Sequence, residues 1–166
     1  QQMIAMGEEE IAVDELRWLL TTTPSGPERD GISGPERALI YRLAVESGLR
    51  ANEIRTLKRS SFQFSGAAAT VTVEAGYSKR RRKDVLPLRP ETAAAIAAHL
   101  AHKLPEAMAF ASPDKDRMAN VMRADLSAAR QAWLDAAQTA AECQRREGTT
   151  FLAYRDENGL VADFHA

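Results

Sequence analysis

The stretch SGLRANEIRTLKRSSFQFSGAAATVTVEAGYSKRRRKDVLPL, residues 47–88, contains the change of pattern that decides the fold. Its first part places Ile54 and Leu57 at helical spacing, which predicts a short helix over residues 51–58. From residue 69 onward, apolar and polar residues alternate, which is typical of a half-buried strand. A helical half of the chain therefore meets a small sheet within this stretch.

The sheet is predicted as a hairpin. The segment ATVTVEA, residues 69–75, forms one strand, and DVLPL, residues 84–88, forms its partner. Pro87 cannot donate a backbone hydrogen bond, so the second strand is expected at an edge. FQF, residues 62–64, is expected to add a short third strand. The polar, basic segment GYSKRRRK forms the tip of the hairpin.

Helices are predicted on both sides of this sheet. Apolar residues recur at helical spacing over residues 13–22, 34–47, 90–102, 115–125 and 126–144. The class is therefore α+β, mainly α-helical, with a small antiparallel sheet.

The ends of one helix are signalled directly. Ser33 and Glu36 have capping-box spacing around the first turn, and Pro35 is tolerated there. Gly48 is placed to end the helix in a left-handed conformation.

Residues 1–12, with an acidic run and no apolar face, are expected to be a linker or disordered. Asn158-Gly159 predicts a second hairpin near the end.

Composition excludes several classes. The chain has 166 residues, of which 45% are hydrophobic and 27% charged, as expected for one folded domain. It contains no apolar run of the roughly 20 residues that a membrane span needs, and its first residues do not resemble a secretory signal. The single Cys143 favours a reducing cytoplasm and a plain helix-surface role.

Charge is distributed unevenly along the chain. The net charge is −1, which taken alone argues against a nucleic-acid partner. Residues 50–89, however, contain ten basic and three acidic residues, a net charge of +7, and the remainder carries −8. A basic hairpin tip beside a second basic cluster could contact several phosphates of double-stranded DNA.

Residues 47–62 resemble the first arginine box of the tyrosine recombinases, also called phage integrases. In that family a helix ends at a glycine and the next helix opens with a catalytic arginine, which an acidic residue three positions later supports. The matching residues are Gly48, Arg50 and Glu53. The resemblance implies a tyrosine-recombinase-like catalytic domain, truncated at its C-terminal end, over residues 13–166.

Two further segments match the family in order. Residues 71–88 resemble the hairpin that carries its catalytic lysine, which implies this role for Lys79, with Lys83 as the alternative. The closing segment ENGLVADFHA resembles the approach to its His-x-x-Arg box, which implies that His165 is catalytic. The DNA-binding residues implied are Lys58, Arg59, Arg80, Arg81, Arg82 and Lys83.

The family's reaction explains these residue types. A tyrosine cuts DNA to form a 3′-phosphotyrosyl link, without metal or other cofactor, so guanidinium groups must stabilise the phosphoryl oxygens. Arg50 would bind these oxygens, Glu53 would orient Arg50, Lys79 would protonate the departing 5′ oxygen, and His165 would assist proton transfer.

Other family residues do not occur within residues 1–166. The second arginine of the His-x-x-Arg box and the nucleophilic tyrosine would follow His165, so this fragment is expected to be inactive alone. The parent recombinase would be tetrameric on paired sites and nucleoid-associated, and the fragment a monomer or weak oligomer. The alternative is a non-catalytic helical DNA-binding or regulatory module with the same fold.

His99 and His102 have H-x-x-H spacing, but an exposed helix face is favoured over a metal site.

Overall fold

The computed structural model describes residues 3–6, 9–78 and 81–154. Six helices and five strands occur in these ranges, together with 3₁₀ turns at Thr23–Ser25 and Arg59–Ser61. The helices are α1 (Val13–Thr22), α2 (Gly34–Ser47), α3 (Ala51–Arg55), α4 (Pro90–Leu100), α5 (Lys115–Asp135) and α6 (Ala140–Glu147). The strands are β1 (Met3–Met6), β2 (Glu9–Ala12), β3 (Phe62–Gln63), β4 (Thr70–Val73) and β5 (Asp84–Pro87). The α+β, mainly helical class is confirmed.

Helix α2 begins and ends where its capping residues predict. The Ser33 hydroxyl accepts the backbone N–H of Glu36 at 3.3 Å, which satisfies a donor of the first turn. Gly48 lies in the left-handed region, with φ 71°, and its N–H donates to Ala44. The Glu36 side chain does not complete the capping box, because its carboxylate accepts the N–H of Ala111 instead. Helix α2 is thereby tied to the segment that follows α4.

The three-stranded sheet has the order β3–β4–β5 and is antiparallel throughout. Val71 and Val73 of β4 are buried, while Thr70 and Thr72 are partly exposed, so the predicted alternation is confirmed. Strand β5 lies at an edge, as Pro87 indicates. The predicted hairpin over 69–88 is confirmed, because β4 pairs antiparallel with β5.

The chain before α1 differs from the expected linker. Met3–Met6 pairs antiparallel with Glu9–Ala12, with Ile4 opposite Ile11. The linker was expected because residues 1–12 show no apolar face of the kind a helix needs. Paired strands do not need such a face, since backbone hydrogen bonds hold them together.

The break between the last two described helices is also misplaced by the sequence. A boundary was expected at residues 125–126, but α5 runs unbroken to Asp135 and α6 begins at Ala140. No glycine or proline lies within residues 115–135, whereas Thr139 caps α6 by accepting the N–H of Glu142 at 3.1 Å. The hairpin predicted around Asn158-Gly159 lies outside the described residues.

The core contains a charged cluster that the sequence patterns did not predict. Arg37 in α2 is fully buried, and its guanidinium binds both carboxylate oxygens of Asp125 in α5, at 2.7 and 3.1 Å. Arg29 donates to the same carboxylate at 3.1 Å, and the Tyr41 hydroxyl donates at 2.5 Å. The third side of the Arg37 guanidinium donates to the carbonyl of Ile32. A buried charge is tolerated only when it is paired and hydrogen-bonded in this way.

His99 is only partly exposed, which corrects the exposed histidine face expected for α4. Its ring stacks on Phe110 with 5.5 Å between centroids, and Nε2 lies 3.0 Å from the carbonyl oxygen of Ala109. His102 is exposed, beyond the end of α4. The two rings therefore occupy different environments, because the loop after α4 folds back over one of them.

Candidate functional site

Arg50 occupies the position that joins α2 to α3. Gly48 turns the chain, Leu49 enters the core, and Arg50 then serves as the N-cap residue of α3 with extended backbone angles. The carboxylate of Glu53 accepts the backbone N–H of Arg50 at 2.8 Å. Glu53 is itself 9% exposed, so this bond is shielded from water. The expected supporting residue therefore holds the backbone of Arg50 in place.

Helix α3 has one buried face and one exposed face. Ala51, Glu53 and Ile54 are buried, while Asn52 and Arg55 are exposed and lie three residues apart on the outer face. That outer face borders an open cleft, which we call the outer cleft, of about 400 Å³.

The hairpin forms the opposite wall of this cleft. Tyr77, in the turn after β4, lines the outer cleft together with Asn52, Arg55, Thr56, Lys58 and Met108. Its side chain is unusually open for an aromatic residue, with 60% of the surface exposed. The fold thereby brings the basic hairpin to the helix that Arg50 begins, although Tyr77 and Arg55 are 22 residues apart.

A second, smaller cleft shares Lys58 and Tyr77 with the outer cleft. We call it the inner cleft; it has a volume of about 300 Å³ and is also lined by Thr72, Lys83 and Glu106. The Lys58 ammonium donates to the Glu106 carboxylate at 2.8 Å, and this contact raises the pKa of Lys58 above its usual value. Lys58 thus stays protonated, and the carboxylate of Glu106 partly neutralises its positive charge.

The basic residues at the described part of the hairpin tip face water. Arg81, Arg82 and Lys83 are all exposed. Arg81 has a positive φ of 53°, and Arg82 donates to Asp84 at 3.1 Å across an exposed ion pair. These side chains are available to a polyanion at the surface.

Three of the predicted site residues lie outside the described residues, namely Lys79, Arg80 and His165. Of the two lysines considered as the acid on the hairpin, Lys83 lines the inner cleft, and the choice between them stays a prediction. Arg59 is half-buried in a 3₁₀ turn, where its backbone N–H donates to Ala107.

The loop after α4 contributes residues that sequence reasoning missed. Ala107 and Pro105 accept backbone hydrogen bonds from Arg59 and Ser60, and this pairing places Met108 and Glu106 at the two clefts. No local sequence pattern predicts this pairing, because it joins segments almost 50 residues apart. Asn52 and Arg55 had a signal, namely their spacing opposite the buried face of a short helix.

Metal-ligand clusters and membrane-spanning helices are both absent from the described ranges. In the part of the chain that the structure describes, no three His, Cys, Asp or Glu side chains gather as metal ligands would. Among the described helices, none is both long enough and apolar enough to pass through a bilayer.

Comparison with known proteins adds no relative. No protein-family model matches the chain, and no curated protein and no solved structure is significantly similar to it. The residues and their geometry therefore carry the functional interpretation.

Proposed function

We propose that this chain is part of the catalytic domain of a tyrosine recombinase, and that the face formed by α3 and the β4–β5 hairpin binds double-stranded DNA. The observation that carries the proposal is the position of Arg50. It stands at the start of a helix immediately after a glycine-terminated helix, its backbone is held by buried Glu53, and a basic hairpin lies beside that helix.

The chemistry proposed for Arg50 needs a guanidinium held in one place. A phosphodiester under attack accumulates negative charge on its non-bridging oxygens, and a planar guanidinium can donate to two of them. Glu53 is buried and accepts the backbone N–H of Arg50, so the backbone from which this guanidinium projects is fixed in the folded protein.

The hairpin supplies the positive charge that would hold the DNA backbone. Arg81, Arg82 and Lys83 are exposed, and Lys83 borders the cleft beside Lys58. Contacts with phosphates are independent of base sequence, so these residues would position DNA rather than select it. The general acid proposed for the departing 5′ oxygen is Lys79, with Lys83 as the alternative.

The test compares two double charge reversals. Arg81→Glu with Arg82→Glu should weaken duplex binding and reduce the slope of log affinity against log salt by roughly 0.9 for each phosphate that the protein no longer neutralises. The matched control, Arg17→Glu with Arg145→Glu, changes the net charge equally at two exposed helix positions away from the clefts. Fluorescence anisotropy of a labelled duplex at several salt concentrations gives both slopes. Equal slopes for the two double variants would contradict the proposed DNA face.

A further inference from the structure

We propose that the outer cleft binds one unstacked nucleotide of DNA, with the base against Tyr77 and the phosphate between Arg55 and Lys58. This inference rests on the proposed function in taking DNA as the partner. It adds a site that contacts a base, separate from the phosphoryl site proposed at Arg50.

The shape of the outer cleft suits a flat ring with a charged substituent. Its volume of about 400 Å³ exceeds what a single side chain would fill, and it opens to solvent between α3 and the hairpin turn. Pockets for small ligands combine an apolar or aromatic wall with a few polar groups, and this cleft has both.

Tyr77 and Met108 form the apolar wall. Their side chains are 60% and 46% exposed, so two large apolar groups face water beside the same cleft. An aromatic face is a platform on which any base can stack, and the sulfur of methionine adapts to a ring edge. A nucleobase could therefore stack on the exposed ring of Tyr77.

Arg55 and Lys58 form the cationic wall, and Asn52 offers an amide that can donate to and accept from a base edge. Three acids lie near these cations. Glu106 binds Lys58, Asp114 interacts electrostatically with Arg55, and Glu74 lines the inner cleft next to Tyr77. The Lys58–Glu106 pair is exposed to water, so a phosphate can compete for Lys58 at little cost.

The combination favours a nucleotide over an acidic peptide. Carboxylates of a peptide would use Arg55 and Lys58 but would leave the faces of Tyr77 and Met108 uncovered. Bases inside an intact duplex are already stacked, so the cleft requires a base that is extruded or unpaired.

The experiment measures binding of the 166-residue chain to three duplexes of equal length. One is fully paired, one carries a single bulged adenine, and one carries a bulged abasic residue. The bulged adenine should bind at least fivefold more tightly than the abasic bulge, since stacking of one base on an aromatic side chain has about this effect. Tyr77→Ala should abolish the difference, and Tyr77→Phe should retain it. Val85→Ala, which removes another exposed apolar side chain from the same hairpin, should also retain it.

The outcomes separate the two proposals. Salt-dependent duplex binding with equal affinity for the adenine and abasic bulges would overturn the nucleotide site and leave the DNA partner standing. A Tyr77→Ala variant that keeps the full difference would also overturn it. Absence of binding to all three duplexes would overturn the proposed function as well. Binding of poly-glutamate with the same dependence on Tyr77, in place of DNA, would show that the cleft takes an acidic peptide.

Discussion

Asp125 joins parts of the core that are far apart in the chain. Its carboxylate accepts hydrogen bonds from Arg29, Arg37 and Tyr41, which lie 84 to 96 residues earlier in the chain. Three donors converge on one buried anion, so the loop before α2, helix α2 and helix α5 are held in one arrangement. The cluster is a polar centre around which the apolar residues pack.

Removing the charge of Asp125 should therefore be costly. Asp125→Asn leaves the guanidinium of Arg37 buried without its counter-charge, and we expect a loss of about 3–5 kcal/mol in the free energy of unfolding. The combined change Arg37→Met, Tyr41→Phe and Asp125→Leu removes the two fully buried charges together with the hydroxyl that donates to Asp125, and it should recover much of this loss. Urea denaturation followed by circular dichroism measures each variant, with Asp135→Asn at the exposed end of α5 as the control. An Asp125→Asn protein as stable as the control would contradict this account.

Tyr41 should make the stability sensitive to alkaline pH. Burial, then the neighbouring Asp125 charge, raises the pKa of the Tyr41 hydroxyl far above its ordinary value near 10. The folded state thus favours the neutral phenol, and this contribution is complete below pH ~10 and is lost as the pH rises above it. While the protein stays folded, the phenolate absorbance of the native chain and of Tyr41→Phe should rise equally on titration with base. A larger rise in the native chain before unfolding would show that Tyr41 ionises in place.

At the scale of elements, the junction between α2 and α3 is where the local sequence and the proposed site meet. Gly48 ends α2 with a positive φ, and two residues later Arg50 begins α3. A residue with a Cβ is strained in that conformation, so the glycine sets the angle at which α3 leaves α2.

The substitution Gly48→Ala should destabilise the protein by about 1–2 kcal/mol, since no neighbouring atom would obstruct the methyl group and the cost is that of the left-handed backbone. Gly76→Ala, in the hairpin turn, is the matched control because its surroundings are equally open and its φ is not positive. Thermal unfolding gives both values. If the two changes cost the same, backbone strain at Gly48 is not what limits this junction.

At the scale of the whole molecule, the proposed function depends on whether a tyrosine can reach a phosphodiester. Tyr41 is fully buried and bonded to Asp125, so it cannot reach a phosphodiester. Tyr154 is half-buried at a bend, with the guanidinium of Arg123 lying 4.3 Å from the centre of its ring. Tyr77 is exposed, but it lies on the hairpin and not at the position that the proposed recombinase function would assign to the nucleophile.

We therefore expect this polypeptide to bind duplex DNA without forming a covalent link to it. A nicked duplex that traps a phosphotyrosyl intermediate, followed by denaturing gel electrophoresis, should show free protein only. The same samples run on a native gel serve as the control, because they must show the bound complex. A band of covalent adduct would contradict the expected inactivity, and its loss in Tyr77→Phe would identify the hairpin tyrosine as the attacking group.

Local sequence determined the elements whose signals are short-range. Ser33 and Gly48 set the ends of α2, and the alternation at Val71 and Val73 defined β4, because capping and side-chain alternation depend on neighbours a few residues away. The α5–α6 boundary was misplaced because a run of good helix formers contains no local stop, and the break lies where Thr139 caps the next helix.

Only the tertiary structure decided which residues share a site. Arg55, Tyr77 and Met108 meet at one cleft, and Arg37 meets Asp125 in the core, across separations that no periodic pattern reports. The physical reason is that such contacts arise when whole elements pack against each other. The residues that flank a charged residue in a helix do not indicate whether its side chain faces water or lies against a buried partner. The sequence by itself thus determined helices α1 to α4, the hairpin and the uneven charge, and the packing placed the basic hairpin beside the helix that Arg50 caps.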